Sequence, residues 1–134
     1  MMTVQYEAET IAKIEELIEE HYHDEDMYEF IEKYSEYDFV EHYETFVSFG
    51  ESYGYEVVDA FIDEFGVENI KSFNDAYMGT WESLRDFVVE SFLEMHHELS
   101  EEILGYLDWD KIQHDWEYDY VFDYSTNTVF FKNF

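Results

Sequence analysis

Cysteine and proline are both absent from the chain, and lysine plus arginine number only 6 against 35 aspartates and glutamates. Without cysteine, neither a disulfide framework nor a thiolate metal site can form. So few bases cannot neutralise a phosphate backbone, which argues against direct binding of nucleic acid. The same charge is repelled by anionic membrane surfaces. No apolar run approaches the length of a spanning helix, and the first residues lack the basic-then-apolar pattern of a signal peptide. The expectation is a soluble, cytoplasmic protein. Glycine is limited to Gly50, Gly54, Gly66, Gly79 and Gly105, so turns must fall there or at Asn, Asp and Ser clusters.

What is present is charge and aromatic surface. The formal charge is −29, and self-repulsion on that scale opposes compaction. Disordered acidic chains are poor in aromatics, whereas here Phe, Tyr and Trp make up 22% of residues, enough for a core. The first half reads as helices. Ile11, Ile14, Leu17 and Ile18 recur at helical spacing, with Thr10 or an earlier residue as the cap. Asp24 and Asp26 are candidate caps for a helix carrying Met27, Phe30 and Ile31. A third helix is predicted over Tyr37 to Phe49, ending near Gly50, and a fourth over Val57 to Phe65, stopping at Gly66. A short helix follows over Val67 to Phe73. "AYMGTW" reads as a strand or bulged turn, Ser83 opens a helix to Met95, and Ile103–Leu107 with Trp109–Trp116 form a broken pair. The tail alternates aromatic and β-branched residues around Ser125-Thr126-Asn127, a hairpin signal. The predicted class is α+β, mostly helical and elongated, with a small antiparallel sheet formed by the 76–81 region and the C-terminal hairpin. The division is expected between an acidic helical region, 1–58, and an α+β domain, 59–134.

Motifs for catalysis are missing. His21-Tyr22-His23 and His96-His97 lack the one-turn spacing of a helical zinc pair. Thirty-five acids form carboxylate pairs by chance, so no glycosidase pair stands out. There is no G-x-S-x-G, Walker loop or G-x-G-x-x-G, and "DEDMYEFIEKY" lacks the alternating ligands and central glycine of a calcium loop. The expectation is a protein with no enzymatic activity, no cofactor and no bound metal. Most of the aromatics supply core, but Tyr34, Tyr37, Tyr43, Tyr118, Tyr120 and Tyr124 stand near acids and are candidates for the surface.

The segment Ile14–Tyr34, "IEELIEEHYHDEDMYEFIEKY", carries nine acids and one base. A net charge of about 2–8 already keeps a small domain soluble, so solubility alone does not require this much. Duplex DNA carries one charge per roughly 1.7 Å of axis, so 29 charges match on the order of 50 Å of duplex. Acids at i and i+4 on a helix lie about 5–6 Å apart, near the spacing of successive phosphates. Glu15/Glu19, Glu16/Glu20 and Glu25/Glu29 fit. Charge is uneven: residues 1–66 hold 20 acids and 2 bases, residues 67–134 hold 15 and 4.

"FGVENIKSFNDAYMGTWESLRDFVVESFLE" (Phe65–Glu94) and "LGYLDWDKIQHDWEYDYVF" (Leu104–Phe122) resemble the ArdA-type antirestriction proteins. The resemblance is carried by Phe73, Tyr77 and Gly79 with Ser83, Asp86 and Phe87; by Tyr106, Asp108 and Trp109 with Asp115; and by Tyr120-Val121-Phe122 with Val129-Phe130. It implies a DNA mimic, without catalysis or cofactor, that occupies the DNA-binding groove of a type I restriction–modification enzyme in a bacterial cytoplasm. It also implies a homodimer formed through the C-terminal region. Residues 1–40 depart from the family, which usually opens with a small β-containing domain. The acids expected to stand in for phosphates are Glu15, Glu16, Glu19, Glu20, Asp24, Glu25, Asp26 and Glu29, with Asp108, Asp110 and Asp115 from the resembling region. The alternatives are mimicry directed at another defence complex, such as a CRISPR effector, and a plain acidic adaptor for a basic protein.

Overall fold

The computed structural model describes residues 5–134 and is α+β, mostly helical, with one three-stranded antiparallel sheet. It divides into two compact units, Met1–Lys71 and Ser72–Phe134. The division expected after residue 58 falls inside a helix, Tyr55–Phe65, because that helix packs on the one before it. Among the described residues, no helix is long and apolar enough to cross a membrane.

The first unit is built from α1 (Ala8–Glu19), α2 (Asp24–Lys33), α3 (Glu36–Tyr53) and α4 (Tyr55–Phe65), followed by a 3-10 turn over Val67–Ser72. Helix α1 buries Thr10, Ile14 and Leu17 and leaves Ile11 and Ile18 exposed, so only half of its apolar repeat faces the core. Thr10 lies inside the helix, and Glu7 occupies the cap position without a side-chain bond. Helix α1 ends in a Schellman motif: the Tyr22 amide donates to the Leu17 carbonyl at 3.0 Å and the His21 amide to Ile18 at 3.0 Å. The residue forced left-handed there is His21, with φ 72°, where glycine is usual. His21→Gly is therefore expected to raise stability by roughly 0.5–1 kcal/mol, since relief of left-handed strain outweighs the freedom glycine gives the unfolded chain. Urea denaturation measures it.

Helix α2 buries Met27, Phe30 and Ile31, the three positions expected from spacing. Its first residue is Asp24, and His23 is the cap. Helix α3 is capped by Ser35, whose hydroxyl accepts from the Asp38 amide at 3.0 Å. It runs through Gly50, where the sequence predicts an end, and stops at Gly54. Gly50 earns its place by contact rather than conformation: a Cβ there would lie 2.2 Å from the Tyr55 ring. Gly54, at φ 99°, makes the reversal into α4 that only glycine adopts comfortably. Helix α4 stops at Gly66 as expected.

The second unit contains α5 (Phe73–Ala76), β1 (Tyr77–Thr80), α6 (Leu84–Met95), α7 (Glu101–Leu104), α8 (Trp109–Trp116), β2 (Tyr120–Asp123) and β3 (Thr128–Phe131). The sheet order is β1-β3-β2, with a register shift in β1 between Tyr77 and Thr80, where Gly79 takes φ 94°. Ser83 caps α6 by accepting from the Asp86 amide. Leu84, Phe87 and Val88 of α6 pack on Phe122 and Val129 of the hairpin, flanked by Trp81 and Trp116.

The hairpin turn hangs on Asp123. Its carboxylate accepts from the Thr126 amide and the Ser125 hydroxyl, each at 2.9 Å, and from the Thr126 hydroxyl at 2.5 Å. Burial disfavours its charge, yet these hydrogen bonds outweigh burial and hold it below the usual carboxylate range. A depressed folded value contributes stability above the unfolded value and loses it as pH falls through the folded one. Asp123→Ala is expected to cost roughly 1–3 kcal/mol at neutral pH through lost hydrogen bonds. The gap from wild type should close below about pH 4, as urea midpoints across a pH series will read.

Candidate functional site

All eleven acids expected to mimic phosphates are exposed, eight in the first unit and three in the second. In α1 they oppose the buried stripe: Ile14 and Leu17 face inward, so Glu15, Glu16, Glu19 and Glu20 fall on the solvent side. In α2, Glu25 and Glu29 continue to Glu32 as an i, i+4, i+7 stripe opposite Met27, Phe30 and Ile31. Two of the three expected one-turn pairs, Glu15/Glu19 and Glu25/Glu29, lie within regular helix, whereas Glu20 of the third is the C-cap of α1.

Few of these acids have partners. Glu16 lies 3.7 Å from Lys13, whose ammonium is bound chiefly by Glu44 of α3. The hydrogen bond to Glu44 is also the main reason that the Lys13 pKa is raised. Among the described residues, Glu15, Glu19, Glu20, Asp24, Glu25, Asp26 and Glu29 make no ion pair. The second unit's acids are more committed. Asp108 caps α8 by accepting from the Lys111 amide at 3.2 Å, and Asp110 pairs with Arg85 of α6. Asp115 has neither kind of partner among the described residues.

Local stability explains some of this charge and not the rest. Asp24, Glu25 and Asp26 fill the first turn of α2, where the helix dipole welcomes negative charge. Glu19 and Glu20 sit at the opposite pole of α1, whose last turn holds no base, and there the dipole disfavours them. Glu19→Lys with Glu20→Lys is accordingly expected to raise stability by about 1 kcal/mol, shifting the melting temperature of the first unit up by about 4–8 °C in low salt. Calorimetry at two salt concentrations will show that gain shrinking as ions screen it.

The tyrosines sort differently from the expectation. Tyr37, Tyr118 and Tyr124 are exposed, and Tyr34 and Tyr120 are half-buried. Tyr43 is a correction: it is only 3% exposed, enclosed by Phe30, Phe39 and Phe46. It nonetheless lines two adjoining hollows of the first unit, of about 280 and 370 Å³, which share Asp26, Tyr43 and Tyr55. Tyr22 and Glu51 join them in the larger of the two, and composition gave no signal that they or Tyr55 would.

His21 and His23 lie in the turn between α1 and α2, and His96 caps the end of α6. Among the described residues, no three His, Asp or Glu side chains converge as a metal-binding group. No protein-family model matches the chain, and no curated protein or solved structure matches it significantly.

Proposed function

We propose that this chain is a DNA mimic that occupies the DNA-binding groove of a type I restriction–modification enzyme, with carboxylates standing where phosphates would bind. One observation carries the reading. Seven acids of α1 and α2 are solvent-exposed and without ion-pair partners, and two of them sit where the helix dipole disfavours negative charge. Folding gains nothing from Glu19 and Glu20, so their value lies in a partner. The resemblance of residues 59–134 to ArdA-type proteins supports this enzyme class. A basic groove would draw such a surface in quickly, and salt would weaken the complex. Dimerisation through the second unit belongs to the same reading, supported by the exposed apolar and aromatic residues Met95, Ile103, Tyr106 and Tyr118.

The decisive experiment measures whether the protein displaces a labelled recognition duplex from a purified type I enzyme, in a salt series. Displacement that fades as salt rises supports the proposal, and failure to displace at low salt ends it. Sedimentation across a concentration series tests the dimer separately.

A further inference from the structure

The geometry points to a receptor for a single arginine side chain of the target, in the 370 Å³ hollow bounded by Glu20, Tyr22, Asp26, Tyr43, Glu51 and Tyr55. This rests on the DNA-mimic reading only for the source of the arginine, a phosphate-binding residue of the captured enzyme.

Three observations converge. First, the Tyr43 ring is almost wholly buried, yet it lines this hollow and its hydroxyl has no hydrogen-bond partner among the described residues. The hydroxyl itself is open to solvent at the hollow rather than sealed in the core, so an incoming N–H donor can reach it. Secondly, the surroundings favour a cation. Burial first, then the Asp26 charge, push the Tyr43 hydroxyl up to about 12. Tyr22 and Tyr55 are likewise raised, by burial and then by carboxylates that include Glu44 and Glu20 for Tyr22, and Glu51 for both. Thirdly, the adjoining hollow shows the same chemistry already satisfied. There the Lys33 ammonium lies 3.5 Å from the Asp59 carboxylate and 5.2 Å from the centre of the Tyr34 ring. The larger hollow repeats this set of carboxylate and aromatic face, with two histidines, His21 and His23, but no lysine or arginine among its lining residues.

A guanidinium fits better than an ammonium. Its planar fork can donate to Asp26 and Glu51 while a face rests on a tyrosine ring, and it is more weakly hydrated. The Tyr22 and Tyr43 rings stand 6.2 Å apart at 56°, offering faces in two directions. A metal ion is the poorer occupant, since no three ligating side chains converge among the described residues. The wall depends on Gly50, against whose backbone the Tyr55 ring packs.

The test titrates the full-length protein, carrying ring-labelled tyrosine, with N-acetyl-arginine amide, its lysine counterpart and the neutral isostere N-acetyl-citrulline amide. Expected are saturable NMR shifts at Tyr22, Tyr43 and Tyr55 with arginine amide, weaker ones with lysine amide and none with citrulline amide. Tyr43→Phe should weaken arginine binding about tenfold, the effect of one hydrogen bond to a charged group. Gly50→Ala, which crowds the Tyr55 ring at the surface, should weaken it as well while the helical spectrum persists. Unsaturable shifts spread over the acidic surface, equal binding of citrulline amide, or no effect of Tyr43→Phe would overturn the inference; equal binding of lysine amide would overturn its guanidinium assignment. Arginine binding without displacement of DNA from the enzyme would sink the proposed function alone, and displacement without arginine binding would sink only this receptor.

Discussion

Changing Glu15, Glu19, Glu20 and Glu25 together to lysine is expected to weaken displacement of DNA from the restriction enzyme by on the order of 100-fold or more at low salt. Placing like charges face to face across an interface costs several kcal/mol, and each lysine would meet a group built to hold phosphate. Four lysines at Glu64, Glu82, Glu90 and Glu94, all exposed, change the net charge by the same amount and are expected to weaken displacement only a few-fold. The contrast separates geometry from bulk charge. Equal losses would instead favour an acidic adaptor whose charges act collectively. Because Glu19 and Glu20 oppose the α1 dipole, the variant carrying only those two lysines should be more stable and a weaker competitor at once. That opposite movement is the mark of residues kept for binding rather than folding.

The second large effect concerns the frame holding those acids. Phe30 of α2 is 4% exposed, and its ring meets Tyr34 at 4.7 Å, Phe46 at 5.0 Å, Tyr43 at 5.2 Å and Phe39 at 6.4 Å between centroids. It is the point at which α2 is fixed to α3. Phe30→Ala is expected to cost about 3–5 kcal/mol, since the cavity is ringed by stiff aromatics that cannot collapse into it. Small domains have about 5–15 kcal/mol in all, and this one also works against repulsion. The melting temperature of the first unit should therefore fall by more than about 12 °C, read by calorimetry. Phe30→Leu should cost far less, as volume is largely retained. Added salt should recover part of the loss by screening the acids that α2 carries.

These residues also show how far the sequence could be read. Met27, Phe30 and Ile31 recur at a period that only a helix satisfies, so α2 and its buried face followed directly. Ser83, Gly66 and the turn after Asp123 were equally plain, because capping and turn chemistry are local. Gly50 misled for a definite reason. Glycine normally marks a helix end, but here a tyrosine five residues later needs its missing side chain, a contact that spacing cannot reveal. Ile11 and Ile18 have the period of core residues, yet among the described residues both stay about half exposed, because periodicity marks a face without saying how much of it the fold covers. Tyr43 looked like a surface tyrosine among acids until Phe30 and Phe39 closed around it.

The sequence by itself determined the sign and density of the charge, the helical spacing of the acids and the absence of motif chemistry. Those are properties of composition and local periodicity. Tertiary structure decided which acids remain without a base, because Lys13 reaches Glu44 on α3 and Arg85 reaches Asp110 on α8, choices made by packing. It also decided that Tyr22, Tyr43 and Tyr55, which belong to different segments of the chain, line one hollow beside Asp26 and Glu51. A pocket of that kind depends on how helices pack, and only the folded chain brings its walls together.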